Sequence, residues 1–407
     1  MGKRTSQGSS SSDAQVRKAP RTLFGTLVRV IAIAAGALLI VFLLTGWIYS
    51  GQIRDGALKP PTNEPPSLDW EVVSSGNTVS LQASSGADQA GQEGMSGLYF
   101  ENGYAHTIDL VSSTDGGGTT TDVRSMESGS TPPAVGTDVK VDEYFYRGDP
   151  MSALGIEFES VFYASDIGSF PAWYIEGTTD TWAILVHGKG ATLEETLRVI
   201  PTFHELGYHV MAITYRNDIG TPRDPSGYHQ YGVTEWKDLA AAVRYAHDHG
   251  AEDHVLYGAS MGGAVVTSYL TQSTLRNFTK GAILDSPVLS FEASVDFRAS
   301  ETELPLLPIT VPDVVTTFAK WISSWRFDVD WDASNYLAQE KLTNLHAPML
   351  VVHGTEDISI PYATSAQLAE ERPDITTLMT TDAGHMRSWN IGPTELQEAI
   401  TAFLADL

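Results

Sequence analysis

Residues 254–270 read HVLYGASMGGAVVTSYL, an apolar run, a serine between glycines and a second apolar run. The run His254–Tyr257 predicts a buried strand, and Val265–Leu270 predicts part of a helix. Between them, residues 258–262 have the form G-x-S-x-G, centred on Ser260. A serine on a tight strand-to-helix turn has a strained backbone and needs small neighbours, which these glycines provide. The pattern predicts a nucleophilic serine, and the alternative is a glycine-rich turn whose serine faces solvent.

Further apolar runs alternate with helix candidates along the C-terminal two thirds of the chain. They are Trp182–Val186, His209–Ile213, Ala282–Leu284, Met349–Val352 and Ile375–Met379. Strands that are apolar throughout indicate a mostly parallel sheet with helices on both faces, so we expect an α/β domain over residues 144–407. Residues 286–345 interrupt the alternation and predict a cap-like insertion. Its aromatic residues are expected either to cover the site or to form local core, and they are Trp321, Trp325, Phe327 and Trp331.

From about residue 155 the chain resembles the α/β-hydrolase superfamily, in its esterase, lipase and serine-peptidase branch. That family places a nucleophile, an acid and a base in this order, each after a different strand. The matching residues are Ser260, then Asp357 at the end of HGTED (353–357), then His385 at the end of DAGH (382–385). The resemblance implies a serine hydrolase that needs neither a metal nor an organic cofactor.

The chemistry explains why these three residue types are required together. A serine hydroxyl is a weak nucleophile at neutral pH, so an imidazole must take its proton. A carboxylate must hold that imidazole in the correct tautomer. We assign these roles to Ser260, His385 and Asp357. Glu356 is the nearest competitor for the acid, and the spacing after the His-Gly pair favours Asp357.

The oxyanion formed during acyl transfer needs two preorganised N–H donors. One is expected to be the backbone N–H of Met261, the residue after the nucleophile. The family carries the other donor in an HG element after an earlier strand. Here that element is HGKG, residues 187–190, and we expect the Lys189 amide, with Gly190 as the fallback.

Composition excludes several classes of protein. The chain contains no cysteine, which excludes a thiol nucleophile, a thiolate metal site and a disulfide framework. Its formal net charge is −25, although residues 1–59 carry eight basic and only two acidic side chains. The acidic excess therefore lies entirely beyond residue 59. Such a body repels phosphate backbones, so nucleic acid is not expected as a partner.

Residues 30–49 read VIAIAAGALLIVFLLTGWIY and predict one transmembrane helix. Twenty uncharged residues are enough to cross about 30 Å of hydrocarbon, and Trp47 and Tyr49 suit the interface. The basic residues before this span predict a cytoplasmic tail, residues 1–29, and a catalytic domain outside the plasma membrane. The alternatives are a cleaved signal peptide, whose apolar region is usually shorter, and a buried soluble helix.

The segments between the span and the α/β domain carry weaker patterns. Residues 50–69 contain four prolines and predict a stiff extended linker. Residues 70–143 are rich in Gly, Ser, Thr and Asp and predict a β-rich or loop-rich extension, which has no part in the family resemblance.

These observations favour a membrane-anchored serine hydrolase that forms an acyl-enzyme on Ser260. An ester, such as a lipid or acyl ester, is the preferred substrate because the anchor holds the site near lipid and the insertion is aromatic. A serine peptidase or amidase, an acyltransferase, and a non-catalytic binding protein of the same fold are the alternatives.

Overall fold

A computed structural model describes residue 2 and residues 21–303 and 310–407. Most of the tail predicted over residues 1–29 lies outside these residues. Helix α1 spans Arg21–Ile53 and ends in a π-type turn, Arg54–Leu58. It is therefore longer than the span predicted from the sequence. Its stretch from Phe24 onward is apolar and long enough to cross a membrane.

The linker prediction over residues 50–69 is wrong for its first part. Residues 50–58 are helical, and the side chain of Leu58 is fully buried. The His229 amide donates to the Leu58 carbonyl at 2.9 Å, so this turn is docked on the α/β domain. The physical reason is that the uncharged sequence continues past Tyr49 and the first helix-breaking proline is Pro60.

Residues 70–142 form a small closed barrel. Its strands are β1 Trp70–Ser74, β2 Thr78–Ser84, β3 Ser96–Phe100, β4 Gly103–Gly116, β5 Thr119–Met126 and β6 Asp138–Asp142. The strand order is β1-β2-β5-β4-β3-β6, and β1 pairs with β6 to close the barrel. Alternate residues fill the interior, among them Trp70, Val72, Leu81 and Leu98. The sequence predicted short strands here but not their closure.

The second sheet is the eight-stranded sheet of the α/β domain. Its strands are β7 Glu159–Ser165, β8 Gly168–Ile175, β9 Thr181–Val186, β10 His209–Ile213, β11 Asp253–Ala259, β12 Thr279–Asp285, β13 Met349–Gly354 and β14 Thr376–Thr381. The order is β14-β13-β12-β11-β9-β10-β8-β7. Strands β9 to β14 are parallel, and β7 and β8 are antiparallel at one edge. The α/β-hydrolase fold expected from the sequence is confirmed.

Helices cover both faces of this sheet. They are α2 Pro150–Leu154, α3 Ile200–Glu205, α4 Trp236–Asp248, α5 Met261–Gln272, α6 Phe291–Glu301, α7 Asp313–Phe327, α8 Gln339–Leu342, α9 Tyr362–Glu371, α10 Ser388–Ile391 and α11 Pro393–Ala405. Along β9, Ile184 and Val186 pack with α4 and α5, whereas Ala183 and Leu185 pack with α3 and α11. Because successive side chains of a strand point to opposite faces of the sheet, the domain has one hydrophobic core on each face.

The cap, residues 286–345, contains α6, α7 and α8. Helix α7 lies beside the C-terminal part of α1, where the Phe42 and Phe318 rings stack with centroids 5.9 Å apart. A Cβ on Gly46 would lie 2.7 Å from the Phe318 Cβ, so this glycine permits close approach of the two helices. The Arg326 guanidinium lies 3.7 Å from the centroid of the Trp47 ring. The N-terminal helix and the cap are therefore packed together.

Asn390 joins the barrel to the α/β domain. Its side-chain amide donates to the Met95 and Glu143 carbonyls, each at 2.8 Å, and its own carbonyl accepts from the Met95 amide at 2.8 Å. The neighbouring Arg387 donates to the Glu93 carbonyl at 2.6 Å. These contacts attach the barrel to the loop that follows His385.

We expect Asn390→Ala to lower the free energy of unfolding by about 1–3 kcal/mol, because two carbonyls lose their donor in a buried place. Denaturant unfolding of the full chain in detergent measures this. The control is Gln397→Ala, which removes an exposed amide hydrogen-bonded to Glu205 and should cost under about 0.5 kcal/mol. Equal stabilities of the two variants would contradict the role of Asn390.

Candidate active site

Ser260 occupies the turn between β11 and α5 in an unusual backbone conformation. Its φ is 49° and its ψ is −113°, a region that non-glycine residues rarely adopt. The turn is held by a hydrogen bond from the Ser260 amide to the Asp285 carbonyl at 2.8 Å. The Ser260 carbonyl accepts from Gly263 at 3.0 Å and from Val288 at 3.1 Å. Hydrogen bonds to both its N–H and its carbonyl thus hold Ser260 in this strained conformation.

The glycines of the motif are required by packing. A Cβ on Gly258 would lie 2.6 Å from the Gly262 carbonyl oxygen. A Cβ on Gly262 would overlap the carbonyl oxygen of Val186, and one on Gly263 would lie 2.6 Å from the Pro287 Cβ. This agrees with the expectation that a serine on such a turn needs small neighbours.

The structure brings together the three side chains that the sequence placed in one site. The Ser260 hydroxyl donates to His385 Nε2 at 3.0 Å. His385 Nδ1 donates to Asp357 Oδ2 at 2.7 Å. The three residues come from the loops after β11, β13 and β14, and the carboxyl ends of these parallel strands meet at one edge of the sheet. The arrangement can carry a proton from the hydroxyl to the imidazole.

Asp357 is buried and fully hydrogen-bonded, whereas Glu356 is exposed. The second carboxylate oxygen, Oδ1, accepts from the backbone amides of Ser359 at 2.7 Å and Ile360 at 2.8 Å. Burial alone would raise the pKa of Asp357, but hydrogen bonds from His353 and His385 and the His385 charge hold it well below its usual range. Asp357 is therefore ionised at neutral pH.

His353 is a partner of the acid that the sequence did not reveal. Its Nε2 lies 3.2 Å from Asp357 Oδ2, and its Nδ1 accepts from the Ser365 hydroxyl at 2.7 Å. The ring is fully buried. The only signal in the sequence was the spacing of four residues between His353 and Asp357, which in a turn after a strand does not by itself predict contact.

The pKa of His385 is raised above its ordinary value. Burial disfavours the imidazolium, but the hydrogen bond and the negative charge of Asp357 outweigh it, with smaller contributions from Glu143 and Glu195. The sign follows from the charge on the acid. A carboxylate stabilises the protonated ring, so this ring holds its proton to a higher pH than a free histidine.

The HGKG loop after β9 is held by buried polar residues that the sequence analysis missed. The Gly188 amide donates to Glu195 Oε2 at 2.6 Å, and the Tyr215 hydroxyl donates to the Gly188 carbonyl at 2.9 Å. His187 Nε2 lies 3.0 Å from Asp218 Oδ2. His187 thus shapes the loop, and the Gly188 amide is already used.

The loop lies directly against Ser260. A Cβ on Gly188 would lie 3.2 Å from the Ser260 Cβ. Lys189 and Met261 line the same cavity as Ser260. Met261 is the first residue of α5, where backbone N–H groups have no partner within the helix. The Lys189 side chain turns to α1, where its Nζ donates to the Gly56 carbonyl at 2.9 Å.

A cavity of about 460 Å³ surrounds Ser260 and His385. Its walls come from the end of α1, from the cap and from the loops of the sheet. Apolar side chains predominate among its cap residues, which include Val288, Phe291, Val295, Ala299, Val311 and Ala319. Lys189 and Arg298 are its charged residues, and within the described part of the chain neither Asp nor Glu lines it.

We expect the imidazole of His385 to titrate above about 6.5, the ordinary value for histidine. Asp357→Asn should lower this pKa, because the carboxylate charge that favours the imidazolium is lost. NMR titration of the histidine ring nitrogens measures it. The matched control is Glu356→Gln, which removes an exposed neighbouring charge and should leave the pKa nearly unchanged. A larger effect of the control would contradict the assignment of the acid.

Solved structures with a similar fold include an esterase from Pyrococcus furiosus, Pf2001. Its P21 crystal form is 21% identical, covers 64% of this chain and 96% of its own, and has a TM-score of 0.50. The P212121 form is 20% identical, with coverages of 64% and 95% and a TM-score of 0.51. At this identity the likeness concerns the fold. No match was found among curated proteins.

Residues 198–407, just over half of the chain, match the prolyl oligopeptidase family. The matched region contains Ser260, Asp357 and His385, and it leaves out the HGKG loop, the barrel and α1. The chain therefore belongs to the prolyl oligopeptidase family, and it is a serine hydrolase of the α/β fold.

Proposed function

We propose that this protein is a membrane-anchored serine esterase that forms an acyl-enzyme on Ser260. The observation that carries the proposal is the pair of hydrogen bonds, 3.0 Å and 2.7 Å long, that joins Ser260, His385 and Asp357. Their order along the chain and the strained turn under the serine agree with this chemistry.

In the first half of the reaction, Ser260 Oγ bonds to the ester carbonyl carbon while His385 Nε2 takes the hydroxyl proton. The bond from that carbon to the leaving oxygen then breaks, and His385 gives its proton to that oxygen, so that a neutral alcohol leaves. In the second half, water attacks the acyl carbon and gives its proton to His385. The bond to Ser260 Oγ breaks, the proton returns to it, and the carboxylic acid leaves.

The oxyanion of both tetrahedral intermediates needs donors next to Ser260. We assign the backbone N–H of Met261 and of Lys189, with Gly190 as the alternative to Lys189. The close contact of Gly188 with Ser260 supports the loop as the source of the second donor. The Gly188 amide itself is bonded to Glu195, which leaves the next residues of the loop for this role.

The cavity supports an acyl ester over a peptide with a free amino terminus. An acyl chain needs apolar walls, which the cap supplies, whereas an ammonium group needs a carboxylate partner. Within the described residues, the charged side chains in the lining are the cations Lys189 and Arg298. A peptidase is the second candidate, and the family match favours it.

The structure of α1 supports an anchor that is retained in the mature protein. From Val30 to Val41 the helix is exposed and apolar, as a lipid-facing span would be. Its end is docked, since the Tyr231 hydroxyl donates to the Ala57 carbonyl at 3.1 Å and Leu58 is buried. Removal of a signal peptide that included this end would expose the cavity. The basic residues before the span favour a cytoplasmic N-terminus.

We expect the wild-type chain in detergent to react with a fluorophosphonate and to hydrolyse acyl esters faster than aminoacyl amides. Ser260→Ala should abolish labelling and lower turnover about 10⁶-fold, because no group replaces the nucleophile. Asp357→Asn should lower kcat about 10⁴-fold. The control is Ser300→Ala, an exposed serine on α6 outside the cavity lining. Faster amide cleavage would favour the peptidase, and absence of labelling in a folded chain would end the catalytic proposal.

We expect a reporter fused after Leu407 to be active only outside the cytoplasm, since the positive charges precede the span. The measurement compares an exported-only reporter with a cytoplasm-only reporter at the same junction. As a control, changing Arg17, Lys18, Arg21 and Arg29 together to Asn should weaken this bias. A fusion active in the cytoplasm alone would overturn the orientation.

A further inference from the structure

The end of helix α1 is a wall of the cavity that holds the nucleophile. Tyr49, Gln52 and Ile53 line the cavity together with Ser260 and His385. Gly56 and Ala57, in the turn after α1, complete this side. The cap forms another wall, to which helix α7 contributes Thr316 and Ala319. A substrate in the cavity therefore lies between the catalytic residues and the two helices.

The contacts between α1 and α7 fix the depth of the cap relative to the span. Arg29 is the last charged residue before the apolar stretch, and the twenty residues that follow it end at Tyr49. Phe42 precedes Tyr49 by seven residues, which is about 10 Å along a helix. Phe318 stacks on Phe42, so the middle of α7 lies at the depth of the span's last two turns. Moving the span toward the N-terminus would bury Arg29 in hydrocarbon, which is unfavourable.

From Val314 to Trp325 the exposed side of α7 suits that depth, whereas Asp313, the first residue of the helix, is exposed and charged. Its exposed residues after Asp313 are Val314, Thr317, Trp321 and Trp325. Spacings of three and four residues place them in one stripe on the helix. The tryptophans are 66% and 75% exposed, which is costly in water for side chains of this size. Tryptophan is enriched at membrane interfaces.

The cations of α7 are turned away from this stripe and paired. Lys320 donates to Glu292 at 2.8 Å and to Asp296 at 2.7 Å, both on α6. Arg326 stacks on Trp47 and donates to the Ser50 hydroxyl at 2.8 Å. The stripe defined by Val314, Thr317, Trp321 and Trp325 is therefore uncharged. It continues the apolar surface of α1.

We infer that α7 lies in the outer leaflet of the membrane beside α1, and that the cavity between them takes its ester from membrane lipid. The substrate part of this inference rests on the proposed esterase function. Lipid covers the stripe, because the stripe lies beside the C-terminal part of α1, and α1 is long enough to span a membrane. The substrate class is an acyl ester whose chain enters the cavity from the bilayer.

A spin label tests the position of α7. The chain has no cysteine, so Thr317→Cys provides a single labelling site and keeps both tryptophans. The full chain is reconstituted in phosphatidylcholine vesicles, and collision with oxygen and with a water-soluble nickel chelate is measured. We expect a label roughly 5–10 Å below the headgroup boundary, with high oxygen and low nickel accessibility. Val135→Cys, on a barrel loop and 63% exposed, is the aqueous control.

Each outcome of this measurement decides the inference. Nickel accessibility at residue 317 equal to that at residue 135 would place α7 in water and overturn it. Low accessibility to both reagents would mean that a protein partner, such as a second copy, covers the stripe, and would also overturn it. These readouts do not depend on catalysis.

The substrate part is tested with Trp321→Asp, a residue outside the cavity lining. We expect hydrolysis of a soluble short-chain ester to stay unchanged. Hydrolysis of a long-chain diacylglycerol in phosphatidylcholine vesicles should fall about tenfold, because a charge opposes insertion. Val135→Asp should change neither. Wild type that cleaves the soluble ester but not the vesicle-borne one would overturn the inference while the esterase proposal stands. Wild type that cleaves neither would overturn both.

Discussion

The positive φ of Ser260 is the constraint on which the rest of the site depends. A side chain in this conformation costs about 1–3 kcal/mol, so the surrounding structure must hold it. Hydrogen bonds with Asp285 and Val288 do so, and they depend on the adjacent parallel pairing of β11 and β12. A local bond from the Gly263 amide to the Ser260 carbonyl adds to them. The turn raises the hydroxyl above the sheet edge, where His385 Nε2 is 3.0 Å away. The pairing of β11 with β12 therefore holds the backbone of Ser260 in place through Asp285 and Val288.

Much of this arrangement was predictable because it follows strand ends. Ser260, Asp357 and His385 each come after an apolar run, and the carboxyl ends of parallel strands share one edge. The family resemblance named these three residues, and their positions after strands agreed with the prediction that they lie together. The need for glycines at 258 and 262 was also predictable, because it is local. A Cβ on Gly258 would overlap the turn itself, and a Cβ on Gly262 would overlap the end of the neighbouring strand β9.

The rest was hidden because it depends on contacts between distant parts of the chain. The barrel closes through Trp70 and Val139, and nothing in either local pattern indicates the pairing. Nothing in the sequence around Glu195 or Asp218 distinguishes them from surface acidic residues. In the structure both are buried and hold the HGKG loop. Burial of a charge is a tertiary property, and a single sequence contains no sign of it.

The largest difference from the sequence prediction concerns residues 50–58, which were expected to be a linker. The structure makes them part of the candidate site. A linker can be cut without harm, whereas this turn buries Leu58 and gives its carbonyls to Lys189, His229 and Tyr231. A body cut at residue 60 would leave those three donors without their partners and would open the cavity on that side. Ser260 and His385 would be intact, but the cavity wall beside them would not. The end of the N-terminal helix is therefore a wall of the candidate site.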